Sequence, residues 1–103
     1  MSGYELDFHR LAFRELQEAL RRYRTQSVKV ANRFIVAVDQ AIQKITANPL
    51  QWTAFHPGFR WLTVRKFPYV LYYHIISENR IRIVAVAHAK RRPGYWIKRA
   101  SRP

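Results

Sequence analysis

The sequence contains no cysteine, which excludes disulfide bonds, thiolate metal sites and cysteine nucleophiles together. Glycine is also scarce, with three residues among 103, while 49% of the residues are hydrophobic; this composition predicts a single ordered domain over residues 1–103. No apolar run reaches the roughly 20 residues that a membrane-spanning helix needs, and the first residues lack the features of a signal peptide. We therefore expect a cytoplasmic protein with no membrane partner.

Acidic residues are few. Six Asp and Glu residues stand against 19 Lys and Arg residues, so the formal net charge is +13. An excess of this size favours polyanionic partners such as nucleic acid, the ribosome or an acidic protein surface. No carboxylates or histidine pairs occur at ligand spacing, so we expect neither a metal site nor a cofactor.

The N-terminal half predicts one strand followed by two helices. Residues 4–8 alternate apolar and acidic side chains, which is typical of a short strand with one buried face. From about Arg10 to Arg24 the apolar residues recur every three or four positions and predict an amphipathic helix. Ser27 is a candidate N-cap for a second helix that ends at Asn48-Pro49. The two helices would form an antiparallel hairpin.

The C-terminal half predicts a β-hairpin preceded by one more strand. Residues 69–76 and 80–88 are rich in β-branched and aromatic side chains, and a three-residue loop joins them. Residues 60–66 have the length of a strand, whereas residues 50–59 show no steady period and predict a loop. If Ile76 lies opposite Arg80, one face carries Tyr72, His74, Arg80, Arg82 and His88, and the other, facing the core, carries Tyr69, Leu71, Tyr73, Ile75, Ile81, Ile83, Ala85 and Ala87.

These elements define an α+β fold. Their order is β-α-α-β-β-β, and the helical hairpin is expected to pack on one face of a small antiparallel sheet.

A cluster of cations suggests a binding site. Because residues 65–66 end one predicted strand and residue 90 follows the last, strand order would gather their charges at one end of the sheet. Guanidinium groups suit phosphate oxygens, and neighbouring aromatic rings would stack on bases. The alternative is a solvated basic rim that docks an acidic protein. The candidate target-binding or nucleic-acid-binding residues are Arg60, Arg65, Lys66, Arg82, Lys90, Arg91, Arg92, Tyr95 and Trp96.

Four residues near the C terminus form a candidate catalytic set. Metal-free RNA cleavage needs a base, a cation and an acid, and His88, Arg91, Arg92 and Tyr95 would supply these groups. The alternative is that His88 is a hydrogen-bonded structural residue of its strand.

The run FPYVLYYHI, a short turn and the run IRIVAVAHAKRRPGYW resemble the RelE/ParE superfamily of bacterial toxins from type II toxin–antitoxin systems. The resemblance covers the C-terminal half closely and the helical half in its layout. It implies the same fold, the function of a toxin, and neutralisation by a cognate acidic antitoxin that folds on binding.

The two branches of the superfamily imply different targets. Members resembling RelE are ribosome-dependent nucleases that cut messenger RNA, and of their five functional positions only the tyrosine is matched here, by Tyr95. Trp61, Thr63, Val70 and Ala89 occupy the positions where that branch has basic residues. Members resembling ParE inhibit DNA gyrase by binding it, without catalysis. We therefore favour gyrase as the target, with messenger-RNA cleavage and a non-toxic nucleic-acid-binding module as the alternatives.

Overall fold

The computed structural model describes residues 3–101. The elements are β1 (Glu5–Phe8), α1 (Arg10–Gln26), α2 (Val28–Ala47), β2 (Thr53–His56), β3 (Phe59–Thr63), β4 (Tyr69–Ser77), β5 (Arg80–His88) and a short 3-10 helix (Ile97–Ser101). The five strands form one sheet in the order β1-β5-β4-β3-β2. All neighbouring pairs are antiparallel except β1 and β5, which run parallel. The predicted α+β fold with a helical hairpin is confirmed, with one more strand than expected.

Both helices begin at residues whose side chains cap them. The Nδ1 atom of His9 accepts a hydrogen bond from the backbone N–H of Leu11 at 3.1 Å. The Oγ atom of Ser27 accepts one from the N–H of Val30 at 3.2 Å, so the predicted N-cap is confirmed. Over residues 3–101, neither helix combines the length and apolarity required to cross a membrane.

The segment expected to be a loop contains the fifth strand. β2 is an edge strand that pairs with β3, with Thr53 opposite Trp61. All four of its residues are exposed, so no alternation of buried and exposed side chains marks it in the sequence. A turn at Pro57-Gly58 joins β2 to β3, and Gly58 adopts a φ of 88°, which glycine tolerates without strain.

The register of the β4–β5 hairpin agrees with the prediction only in the middle of the hairpin, around His74. His74 lies opposite Arg82 as predicted, but Ser77 rather than Ile76 lies opposite Arg80. A bulge at Val84 then shifts the pairing, so that Tyr72 faces Ala85.

The bulge also reverses which side chains of β5 face the helices. Val86 therefore joins the core under the helices, and Ala87 lies opposite Val70 on the other face. His88 lies beside Tyr69 on the helix side, with 5.3 Å between the ring centroids. The prediction that His88 shares a face with Tyr72 and His74 is therefore wrong.

Both faces of the sheet are covered. The main core lies between the helices and the sheet, and its largest fully buried residues include Phe34, Ile45, Leu71, Tyr73, Ile81 and Ile83. On the opposite face, residues 89–101, which we call the C-terminal tail, place Trp96 in a second cluster with Phe59, Val84 and Ala85. Gly94 permits the fold-back, because its φ is 85° and a Cβ there would lie 3.1 Å from the Cδ1 atom of Ile97.

Candidate functional site

Two chain segments, the β3–β4 turn and the start of the C-terminal tail, meet at one end of the sheet. The N–H of Val64, after β3, donates to the carbonyl of Tyr69 at 2.9 Å, and the N–H of Ala89, after β5, donates to the carbonyl of Pro68 at 2.8 Å. These bonds hold the β3–β4 turn beside the start of the tail. The exposed cations carried by the two segments are Arg65, Lys66, Lys90, Arg91 and Arg92. We call this surface the basic end.

The cations of the basic end have no anionic partner within the described part of the chain. Among residues 3–101, the ion pairs within 4.0 Å involve Arg80, Arg82 and Arg99 but none of these five residues. Like charges held close together repel one another and oppose folding. An acidic or phosphorylated partner would relieve that repulsion on binding.

Two predicted binding residues lie at the opposite end of the sheet. Arg60, near the start of β3, donates from Nη1 to the carbonyl oxygen of Trp52 at 2.7 Å. Arg82, near the start of β5, donates from Nε to a carboxylate oxygen of Asp7 at 2.9 Å, and Arg80 binds the same carboxylate at 2.6 Å. The bonds from Arg82 and then Arg80 hold the pKa of Asp7 below 3.8. These arginines are therefore committed to contacts within the protein.

Trp96 is buried, so the prediction that its ring stacks on bases is wrong. Its exposed fraction is 0%. The ring packs against Tyr72, Phe59 and Phe55, with centroid distances of 4.6, 4.9 and 5.7 Å. The residue anchors the tail to the second face of the sheet and offers no surface to a partner.

Tyr95 is also held within the protein. Its hydroxyl donates to Oε2 of Glu15 in α1 at 2.6 Å, and the guanidinium carbon of Arg91 lies 3.7 Å from the ring centroid. Burial, followed by the contact with Glu15, raises the pKa of the Tyr95 phenol above its usual value of 10. The phenol therefore stays protonated near neutral pH and is already engaged as a donor.

Within the predicted catalytic set, the N–H of Arg91 donates to the carbonyl of His88 at 2.9 Å and the Arg91 guanidinium stacks on the Tyr95 ring, but the hydrogen bonds of the His88 and Tyr95 side chains go to residues outside the set. The Nδ1 atom of His88 accepts a hydrogen bond from the N–H of Lys90 at 3.1 Å, and its ring packs on Tyr69. The Tyr95 hydroxyl binds α1 instead. His88 and Tyr95 are thus oriented by different elements, whereas Arg91 and Arg92 lie between them on the exposed loop.

A groove continues from the basic end along α2. Its volume is about 990 Å³, and it is lined by one side of α2 between Val28 and Gln40 and by the β3–β4 turn. The lining residues include apolar Val28, Val36, Ala37 and Phe67 and the cations Lys29, Arg33, Arg65 and Lys66. We call it the α2 groove. A signal for it exists in the sequence, since Val28 and Val36 lie off the buried stripe of α2 and are 65% and 54% exposed.

The fold and the uncompensated cations together define a small basic α+β protein with a surface suited to an acidic partner. The chain is similar to one in a solved structure described as "Chromosomal ParDE TA system from P. aeruginosa", with a TM-score of 0.70 and 16% identity over 85% of this chain and 98% of that one. At this level of identity, the likeness shows the shared fold.

The family is shown by the sequence. The family described as "ParE toxin of type II toxin-antitoxin system, parDE" matches residues 6–93, which is most of the chain. The protein therefore belongs to the ParE toxin family, and the predicted relation to RelE/ParE toxins is confirmed. A comparison with curated proteins gives no match.

Proposed function

We propose that this toxin arrests growth by binding DNA gyrase through the basic end and that a cognate acidic antitoxin neutralises it. The observation that carries the proposal is the set of five exposed cations, held by two adjacent segments and free of carboxylate partners among residues 3–101. Such a surface gains favourable interactions when an anionic surface covers it, because no internal ion pair has to be broken first.

Two observations favour binding over RNA cleavage: Tyr95 is already engaged within the protein, and the cations of RelE-like nucleases are missing. Tyr95 donates to Glu15 and its pKa is raised, so it is a weak acid catalyst near neutral pH. The positions that carry cations in RelE-like nucleases hold Trp61, Thr63, Val70 and Ala89. Without those cations, little would stabilise the charge that develops on the phosphate during cleavage.

The α2 groove fits an acidic amphipathic helix of the antitoxin. The apolar residues Val28, Val36 and Phe67 would receive the apolar face of such a helix, and Lys29 and Arg33 would pair with its carboxylates. Arg65 and Lys66 belong to both the groove and the basic end. An antitoxin helix in the groove would therefore cover part of the surface assigned to gyrase.

Two assays on the purified toxin test the proposed target. A plasmid-supercoiling assay with purified gyrase should show lost supercoiling or linear DNA, whereas primer extension on translated messenger RNA should show no codon-phased cuts. Codon-phased cuts with normal supercoiling would contradict gyrase inhibition and support the endonuclease function. Unchanged growth after induced expression would contradict both and favour a non-toxic nucleic-acid-binding module.

A pair of α2 variants tests the antitoxin site. Val36→Glu replaces an apolar side chain of the groove with a carboxylate that would repel an acidic helix; we expect about tenfold weaker binding of the cognate antitoxin by titration calorimetry. Ile35→Glu is the matched control, since Ile35 is 46% exposed on the same helix but does not line the groove. Equal antitoxin affinities for the two variants would contradict binding in the α2 groove and indicate that the antitoxin binds another surface.

A further inference from the structure

Two neighbouring residues of the C-terminal tail, Tyr95 and Trp96, attach it to different parts of the protein. Trp96 fills the aromatic cluster on the second face of the sheet. Tyr95 points instead toward Glu15 of α1. The loop that carries Arg91 and Arg92 therefore runs between the Ala89–Pro68 hydrogen bond and the Tyr95–Trp96 attachment.

Glu15 accepts hydrogen bonds from three residues, one in β5 and two in the C-terminal tail. One of its oxygens accepts from the N–H of Val86 in β5 at 3.0 Å, and the other accepts from the Tyr95 hydroxyl at 2.6 Å. The guanidinium of Arg99 binds both oxygens, at 2.9 and 3.0 Å. The Glu15 and Arg99 side chains are each only 15% exposed, which places this ion pair in a region poorly screened by solvent.

The strand pairing explains why the carboxylate is needed here. β1 pairs with β5 only as far as Ile83, and the chain then turns into α1 at His9. Beyond that point β1 no longer pairs with β5. The N–H of Val86 donates to Glu15 instead, and the carbonyl of Val84 accepts from Arg99. The pair thus completes the edge of β5 and joins it to the tail.

The Glu15 carboxylate also lies against a strongly basic segment. The sequence after Glu78 contains no Asp or Glu, while residues 90–99 contain five Lys and Arg residues. Glu15 is the carboxylate that the tail contacts within the described residues. Arg91 stacks on the Tyr95 ring at 3.7 Å, so the orientation of that ring sets where the Arg91 guanidinium lies.

We propose that Glu15, together with Arg99, is a positioning residue for target binding: through Tyr95 it fixes Arg91 and the loop of residues 89–95 in the geometry that the target recognises. This inference rests on the proposed function of the basic end. A preorganised loop binds more tightly, because less conformational entropy is lost when the complex forms.

The test compares Glu15→Gln with Glu18→Gln, which makes the same charge change at an exposed position of α1. Both proteins are checked for folding by circular dichroism and for loop order by hydrogen exchange. Glu15→Gln should inhibit gyrase about tenfold more weakly, with faster exchange in residues 89–95 and unchanged exchange in β1 to β4. Growth arrest after induction should weaken in parallel.

A folded Glu15→Gln variant that inhibits gyrase as strongly as Glu18→Gln would overturn the inference. If Glu15→Gln does not fold, Tyr95→Phe carries the test, because it keeps the ring under Arg91 and the Glu15–Arg99 pair but removes the hydroxyl donor. We expect a loss of about threefold to fivefold for that variant, and unchanged inhibition would again overturn the inference. A wild-type toxin that does not inhibit gyrase would instead refute the proposed target, and growth arrest then remains as the readout for Glu15.

Discussion

The arginines at the two ends of the sheet differ in whether they form ion pairs within the protein. At the end where β1 and β5 begin, Arg80 and Arg82 share the carboxylate of Asp7, with contacts of 2.6 and 2.9 Å. At the basic end, Arg65, Arg91 and their neighbours have no carboxylate within 4.0 Å among residues 3–101. Both sets lie on one sheet within the same chain of net charge +13, so overall charge does not explain the difference.

The difference separates cations that support the fold from cations that are available to a partner. The register of the parallel β1–β5 pair places Asp7 opposite Arg82, so strand pairing itself brings these charges together. No comparable acidic residue occurs in the β3–β4 turn or in the tail. The five cations of the basic end add repulsion and form no ion pair within 4.0 Å among residues 3–101, which supports the proposal that they bind a partner.

The largest effect is expected from removing the residue that anchors the tail, which carries three of the five cations of the basic end. Trp96→Ala deletes a ring that is 0% exposed, and the loss of buried surface and the resulting cavity should lower the free energy of unfolding by about 3–5 kcal/mol. Urea unfolding measures the loss. Hydrogen exchange should show a freed tail, while the Asp7 end of the sheet stays protected.

Trp61→Ala is the matched control for that prediction. Trp61 lies opposite Tyr72 but is only partly buried, so its removal should cost about 1–2 kcal/mol and leave the tail in place. Equal losses for the two variants would contradict the role of Trp96 as the particular anchor of the tail.

A smaller effect is expected at the opposite end. Asp7→Asn removes the carboxylate shared by Arg80 and Arg82, but the Asp7 side chain is 39% exposed and solvent screens the pair, so the loss of unfolding free energy should stay below about 1 kcal/mol at pH 7. Gyrase inhibition should not change.

The pH dependence of that loss follows from the pKa of Asp7. Because the pKa in the folded protein lies below the value of 3.8, the carboxylate stabilises the fold above pH 3.8 and this contribution disappears as the pH falls through the folded pKa. The difference between wild type and Asp7→Asn in urea unfolding should therefore vanish in strong acid.

Local sequence signals predicted much of the fold. The apolar spacing and the Ser27 cap located both helices, and β-branched and aromatic residues located the long hairpin. The same reasoning brought residues 65–66 and 90–92 to one end of the sheet, because that inference needs only the order and direction of neighbouring strands. Their role as a binding surface is a proposal.

The features that were missed depend on contacts between distant residues. β2 has no buried side chain, so its sequence shows no alternation of apolar and polar residues that would predict a strand. The residues of β5 give no sign of the bulge at Val84, which moves His88 to the helix side. Trp96 looks like a surface residue because it follows a basic run, and its burial depends on Phe59 and Tyr72, which the sequence alone does not place beneath it.

The affinity of gyrase for two double variants tests the central claim most directly. Arg91→Ala with Arg92→Ala removes cations from the basic end, and Arg80→Ala with Arg82→Ala removes the same charge from the opposite end. Measured by surface plasmon resonance on folded proteins, the first pair should weaken binding more than about tenfold and the second less than about twofold. Equal affinities for the two variants, or a larger loss for the Arg80 and Arg82 pair, would contradict the assignment of target binding to the basic end.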